Sequence, residues 1–102
     1  MVEQINQQQF ESVLQNNAVV VADYFAEWCG PCKMMHSIYE DAANKHPNIK
    51  FIRVDVDDNL NLASSQSIQV VPTFVAYKNG QEVSRITGYN PSEQFQYFIE
   101  TL

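Results

Sequence analysis

Positive charge is scarce in this sequence and is not gathered anywhere. The six basic side chains, Lys33, Lys45, Lys50, Arg53, Lys78 and Arg85, are scattered among twelve acidic ones, giving a formal net charge of −6. No basic stripe exists to follow a phosphate backbone, so nucleic-acid binding is not expected. Long apolar runs are also missing. The longest, Ala18 to Ala26, is broken by Asp23 and is far too short to span a bilayer, so no membrane role is expected. Met1 to Asn6 has neither the basic start nor the apolar run of a secretory signal. No Asn-x-Ser/Thr acceptor occurs, because Asn90 is followed by Pro91. The C-terminus carries no retention or lipidation signal. A cytoplasmic location is the expectation. Repeats, low-complexity tracts and linkers are absent. With 102 residues, 45 % of them hydrophobic, residues 1–102 should form a single domain around one core.

Local patterns alternate between helix and strand. Val2 to Ile5 reads as a short strand, and Asn6 can cap a helix with Phe10, Val13 and Leu14 on its apolar face. Ala18 to Phe25 is rich in β-branched and aromatic residues and reads as a buried strand. A helix beginning near Cys32 shows Met35, Ile38, Tyr39 and Ala42 on one face and stops before Pro47. Phe51 to Val56 alternates, with Ile52, Val54 and Val56 opposite Arg53, Asp55 and Asp57. Asp58 can cap a short helix through Ala63. Strands at Thr73–Tyr77 and Glu82–Thr87 flank Asn79-Gly80, a strong hairpin signal. The last helix should use Asn90 as cap, Pro91 in its first position and Glu93 to complete a capping box, with Phe95, Phe98, Ile99 and Leu102 facing the core. The order β-α-β-α-β-α-β-β-α implies an α/β fold. Its central sheet should carry helices on both faces and be made mixed by the terminal hairpin.

Cysteine is also scarce: there are two, both in Trp28-Cys29-Gly30-Pro31-Cys32. A disulfide across two intervening residues closes a ring too short to stabilise a fold much, since the effect grows with loop length. A bond that stabilises little is suited to opening and closing. The motif follows a strand and opens a helix. Cys29 therefore sits at a helix N-terminus, where unpaired N–H groups and the macrodipole favour a thiolate over a free thiol of pKa about 8.5. Pro31 suits a first turn that has no N–H partner to lose. These points make Cys29 the nucleophile and Cys32, one turn further in, the less exposed resolving thiol. Three plainer readings compete. One is a structural disulfide, weakened by the small ring. Another is a zinc site, for which only His36 and His46 remain as further ligands. The third is a pair of inert buried thiols. The redox reading is preferred.

Asp23 interrupts an apolar strand. Buried, its pKa would rise and make it an acid or base near neutrality; at a solvent-facing strand end it would be ordinary. The residues alone leave both open. Val71-Pro72 would be trans by default, since cis accounts for only about 5–6 % of X-Pro bonds in folded proteins. Asp55, Asp57 and Asn59 echo the start of a calcium loop. Leu60 stands at its glycine and Gln66 at its final glutamate, so calcium is not expected and no metal is assigned.

Trp28-Cys29-Gly30-Pro31-Cys32 resembles the active site of the thioredoxin family. So do Asp23 six residues earlier, Val71-Pro72-Thr73, Lys78-Asn79-Gly80 and Gly88 before the last helix. The likeness covers essentially the whole chain in order. It implies a thioredoxin-like fold, a central mixed five-stranded sheet flanked by four helices. It also implies that Asp23 lies behind the disulfide and shuttles the proton of Cys32, and that Val71–Pro72 is cis. Trp28, Gly30, Val56, Val71, Pro72, Gly88 and Tyr89 would then form a flat apolar groove around Cys29. A substrate segment would pair there with exposed backbone. Arg53 stands where the family has a lysine beside the buried aspartate; always charged, it should hold the Asp23 pKa lower than a lysine would. Ser37 replaces a helix proline common in the family, so a straighter helix, or one bent by another cause, is expected. The extra regulatory cysteines of some members are absent, and a monomer is expected.

The resemblance implies a small dithiol carrier that reduces protein disulfides. No cofactor would be bound, and a thioredoxin reductase drawing on NADPH would restore the thiols. Clients implied in the same way are peroxiredoxins, ribonucleotide reductase and methionine sulfoxide reductase. One alternative is a disulfide oxidase or isomerase, but those usually carry histidine where this chain has Pro31 and work behind a signal peptide. A module using the fold as a scaffold would survive loss of both cysteines; the intact Cys-Gly-Pro-Cys argues against it.

Overall fold

A computed structural model describes residues 1–102. The elements in chain order are β1 (Val2–Gln4), α1 (Phe10–Asn16), β2 (Val19–Phe25), α2 (Gly30–Lys45), β3 (Lys50–Asp55), α3 (Leu60–Ser65), β4 (Thr73–Lys78), β5 (Gln81–Thr87) and α4 (Ser92–Glu100). One five-stranded sheet runs β1-β3-β2-β4-β5. β3 pairs parallel with β1 and β2, while β2–β4 and β4–β5 are antiparallel. The mixed sheet and its four helices are those expected.

Side-chain alternation along the strands divides the core. Val20, Ala22 and Tyr24 of β2, with Ile52, Val54, Val75 and Tyr77, pack under Phe10 and Leu14 of α1 and Leu62 of α3. Val21, Phe51, Phe74 and Ala76 face the other way, against α2 and α4. There Tyr39, Phe74 and Phe95 stack with centroids 4.9 to 5.9 Å apart. Each ring so enclosed contributes about 1.5–3 kcal/mol. The Tyr39 hydroxyl lies 2.9 Å from the Val21 carbonyl and 2.7 Å from that of Ile52, so it ties α2 to two strands. α2 runs unbroken past Ser37. No helix is long and apolar enough to cross a membrane.

The ends of several elements differ from expectation. β1 stops at Gln4 because the Ile5 N–H, although it bonds to the Arg53 carbonyl, leads directly into the α1 turn. Asn6 does accept the N–H groups of Gln8 and Gln9, but it caps a turn that precedes α1 proper. Asn90 is not a cap. Its amide donates backward to the carbonyls of Thr87 and Gly88, and α4 begins after Pro91 with no side-chain cap. Asp58 does not cap α3 either; Asn59 occupies that position. The hairpin turn matches its residues: Asn79 and Gly80 both have positive φ (52° and 80°), as a two-residue turn matching strand twist requires.

The topology brings several strand ends to one edge. Tyr24 on β2 lies opposite Thr73 on β4, Thr73 opposite Thr87 on β5, and Phe25 opposite Asp55 on β3. The segments beyond them, Ala26–Cys29, Val56–Asn59, Val70–Pro72 and Gly88–Asn90, must therefore meet.

Candidate active site

Cys29 and Cys32 are joined in a disulfide, with Cα atoms 5.2 Å apart. Cys29 is the N-cap of α2, and Pro31 falls in the first turn. The Cys29 sulfur accepts the Cys32 N–H at 3.1 Å, the position that a serine or aspartate oxygen takes at other helix starts. Expected differences in burial do not appear. Both cysteines are 3 % exposed. The sulfurs share an apolar cluster with Phe25 and Ala26, against which Val56 and Val71 pack, so the ring lies under side chains from three segments. Cys29 and Cys32 differ in their place on the helix and in what they touch. Cys29 Sγ lies 3.6 Å from the Val71 carbonyl oxygen.

Val71–Pro72 is cis. The Thr73 hydroxyl donates to the Val70 carbonyl at 2.7 Å, and the Gly88 N–H donates to the Pro72 carbonyl at 2.8 Å. Gly88 adopts φ +79°, a conformation a side chain would strain. The Val71 N–H makes no hydrogen bond within the chain. Trp28 is on the surface, 70 % exposed, and its indole N–H donates to Asp57 Oδ2 at 2.9 Å. Tyr89 and Val70 are also exposed. The Val56 N–H bonds to the Phe25 carbonyl, which seats Val56 beside the cysteine loop.

Asp23 is 2 % exposed, which decides between its two readings. It shares the α2 face of β2 with Val21 and Phe25. Burial raises its pKa from 3.8 to about 7, with the Arg53 charge acting in the opposite direction. Arg53 lies directly across on β3 and stacks on the Phe25 ring at 3.8 Å. An open cavity of about 290 Å³ beside Cys32 is lined in part by Arg53, Lys33 and His36. His46 is turned toward Gln96, with Nε2 3.3 Å from Oε1.

Asp55, Asp57 and Asn59 have roles their spacing did not suggest. Asp55 Oδ1 accepts the Asp57 N–H at 2.9 Å, Asp57 holds Trp28, and the Asn59 amide bridges the Asp55 carbonyl and the Gln7 N–H. No signal along the chain links residue 28 to residue 57, because the contact joins two loops after separate strands.

The arrangement can exchange a disulfide with a partner sulfur beside an open main-chain N–H and an exposed indole. A family model described as Thioredoxin matches residues 1–101. The chain is 40 % identical to "Thioredoxin 1" of Plasmodium falciparum over 87 residues, 85 % of this chain and 84 % of that one. The solution structure of oxidised thioredoxin from Plasmodium falciparum superposes with TM-score 0.91 at 36 % identity, covering 99 % of this chain and 97 % of the other. A structure described as the basis of thiol resolution in yeast mitochondrial 1-Cys peroxiredoxin via glutathione/thioredoxin systems gives TM-score 0.90 at 31 % identity. It covers 99 % of this chain and 95 % of that one.

Proposed function

The chain belongs to the thioredoxin family, a family of oxidoreductases with a redox-active disulfide, and on that footing we propose that it reduces protein disulfides. The observation that carries the reading is the Cys29–Cys32 disulfide at the start of α2, beside the unpaired N–H of Val71.

In the reduced protein, the Cys32 N–H that meets the Cys29 sulfur favours negative charge there. The Cys29 thiolate attacks one sulfur of the substrate disulfide and displaces the other as a thiolate, forming a mixed disulfide. Cys32 loses its proton and attacks the Cys29 sulfur. The second substrate thiolate leaves, and the Cys29–Cys32 bond closes. Two electrons pass to the substrate. Asp23, with a pKa near 7, accepts the Cys32 proton and returns it to solvent. Gly30 and Pro31 shape the first turn, and Arg53 tunes the carboxyl. Trp28, Val56, Val71, Pro72, Gly88 and Tyr89 form the groove in which a polypeptide pairs with Val71 as an added strand.

Recycling belongs to a thioredoxin reductase using NADPH, and the chain itself needs no cofactor. Peroxiredoxins are clients supported by the structural likeness above. Ribonucleotide reductase and methionine sulfoxide reductase are further candidates, and the cytoplasm is the compartment.

The test is the reduction potential of the Cys29–Cys32 pair, titrated against a dithiothreitol buffer. A value below the glutathione poise of about −220 to −260 mV supports a reductase. A value clearly above it would assign the chain to disulfide donation instead.

A further inference from the structure

Arg85 lies on β5, outside the site described above, yet it holds the chain that leads into it. In a regular strand, residues three apart point to opposite faces. Glu82 and Arg85 are three apart and share one. The β4–β5 register slips between Ala76 and Tyr77: Ser84 lies opposite Ala76 and Glu82 opposite Tyr77, leaving Val83 as an extra residue. Arg85, opposite Val75, and Glu82, opposite Tyr77, are thereby turned together toward the α1 and α3 side.

Glu82 takes two bonds from the guanidinium, from Nε at 2.7 Å and Nη2 at 2.8 Å. A surface ion pair of this kind contributes little to stability by itself. Its effect here is orientation. With one edge fixed, the guanidinium presents its remaining N–H groups to the end of α3. Nη2 donates to the Gln66 carbonyl at 2.8 Å and Nη1 to the Ser67 carbonyl at 3.3 Å. Gln66 is held a second time, its Oε1 accepting the Tyr77 hydroxyl at 2.8 Å. Ser67 turns the chain with φ +57°. The Ser67 and Ile68 N–H groups return to the carbonyls of Ser64 and Ala63 at 3.0 and 2.9 Å, and beyond Ile68 the segment runs to Val71 and Pro72, tied down at Val70 and Pro72 by Thr73 and Gly88.

We propose that Arg85 is a positioning residue for protein-disulfide reduction: oriented by Glu82 across the Val83 bulge, it anchors Gln66 and Ser67 and so sets the segment that offers the Val71 backbone to a docked polypeptide. A loosened segment must be ordered at each docking event, which weakens binding of a polypeptide. A small disulfide that pairs with no backbone is insensitive to that cost. Arginine is required because a lysine ammonium cannot hold a carboxylate in a fork and two carbonyls at once. The inference rests on protein disulfides being the substrates.

The experiment compares kcat/KM for insulin disulfides with kcat/KM for 5,5′-dithiobis(2-nitrobenzoate) in the wild type, Arg85→Met and Arg85→Lys. Hydrogen exchange of residues 66–68 is followed in the same proteins. In Arg85→Met the protein-to-small-disulfide ratio should fall about fivefold, carried by KM, with faster exchange at 66–68, whose N–H groups bond back to α3, relative to β4. Arg85→Lys should recover part of the loss. An unchanged ratio, or an equal fall for both substrates, overturns the proposal. If Arg85→Met does not fold, Glu82→Gln decides: it should lower the ratio about twofold by loosening the fork, and no change overturns the proposal. A wild type that reduces the small disulfide but not insulin removes the functional reading itself, whereas a competent wild type with unaffected variants removes only the role of Arg85.

Discussion

Asp23 and Arg53 face each other across β2 and β3 with Asp23 Oδ2 and Arg53 Nε 3.5 Å apart, too far for a well-formed hydrogen bond. Asp23 Oδ1 has no partner at all. The charge of Arg53 is therefore near enough to lower the carboxyl pKa but not placed to satisfy the carboxylate. Loss of solvation outweighs it, and the pKa stands at about 7.

That balance gives stability a definite pH dependence. Between pH 3.8 and about 7 the folded protein keeps a proton on Asp23 that the unfolded chain releases. Stability from this group is therefore full below pH 3.8, declines as pH rises, and levels off above 7. The whole change is about 4 kcal/mol at 1.36 kcal/mol per pKa unit. Asp23→Asn has no such slope. Urea unfolding of the oxidised proteins should find the variant more stable at pH 8 by up to about 4 kcal/mol, and the difference gone at pH 4. A variant less stable at pH 8 would contradict a carboxyl that is costly to ionise.

The two cysteines are equally buried, so their roles must be separated chemically. Cys32→Ser should accumulate a mixed disulfide with a protein substrate through Cys29, while Cys29→Ser should accumulate none. With both cysteines present, Asp23→Asn should lengthen the life of the mixed disulfide at pH 7 by about 100-fold, the lower end of general acid–base effects. Quenched-flow trapping and mass spectrometry report both. Trapping through Cys32 instead would reverse the assignment.

Trp28 is an exposed indole kept in one orientation by Asp57. Asp57→Ala should free it. Its fluorescence anisotropy should fall, and KM for a protein disulfide should rise about fivefold, the equivalent of one hydrogen bond of about 1 kcal/mol. Unchanged anisotropy would mean that neighbouring contacts, not Asp57, hold the ring.

Asn59 is buried and joins the β3–α3 loop to the turn before α1 through Gln7. Asn59→Ala leaves the Asp55 carbonyl and the Gln7 N–H without partners and should cost about 1–3 kcal/mol in chemical unfolding. Asn59→Asp should recover only part of this, because it can accept from Gln7 but cannot donate to Asp55. A loss below a few tenths of a kcal/mol, roughly that of an ordinary surface change, would show that water replaces both bonds.

Much of the architecture was legible because its causes are local. Helix-period stripes such as Met35, Tyr39 and Ala42, the strand over Phe51–Asp55, one residue short of the expected end at Val56, and the paired positive-φ residues at Asn79-Gly80 all act within a few residues. Helix starts were less legible. Asn90 has a cap residue's chemistry, but its amide found the carbonyls of Thr87 and Gly88 first. The competition was decided by the turn at Gly88, which no cap rule contains. The spacing of Asp55, Asp57 and Asn59 was equally uninformative, since their partners come from Trp28 and Gln7.

The sequence by itself determined the chemistry available: two thiols one turn apart, a proline in the first turn, and a strand leading into a helix that sets one sulfur at the N-cap. These follow from covalent spacing and backbone geometry over a handful of residues. Tertiary structure decided the environment of that chemistry. It buried Asp23 beneath α2 opposite Arg53, covered both sulfurs with Val56 and Val71, pinned Trp28 to Asp57, and used the slip at Val83 to bring Arg85 onto Gln66 and Ser67. Solvation, charge and hydrogen-bond partners belong to the space around a group, and that space is filled by residues tens of positions away.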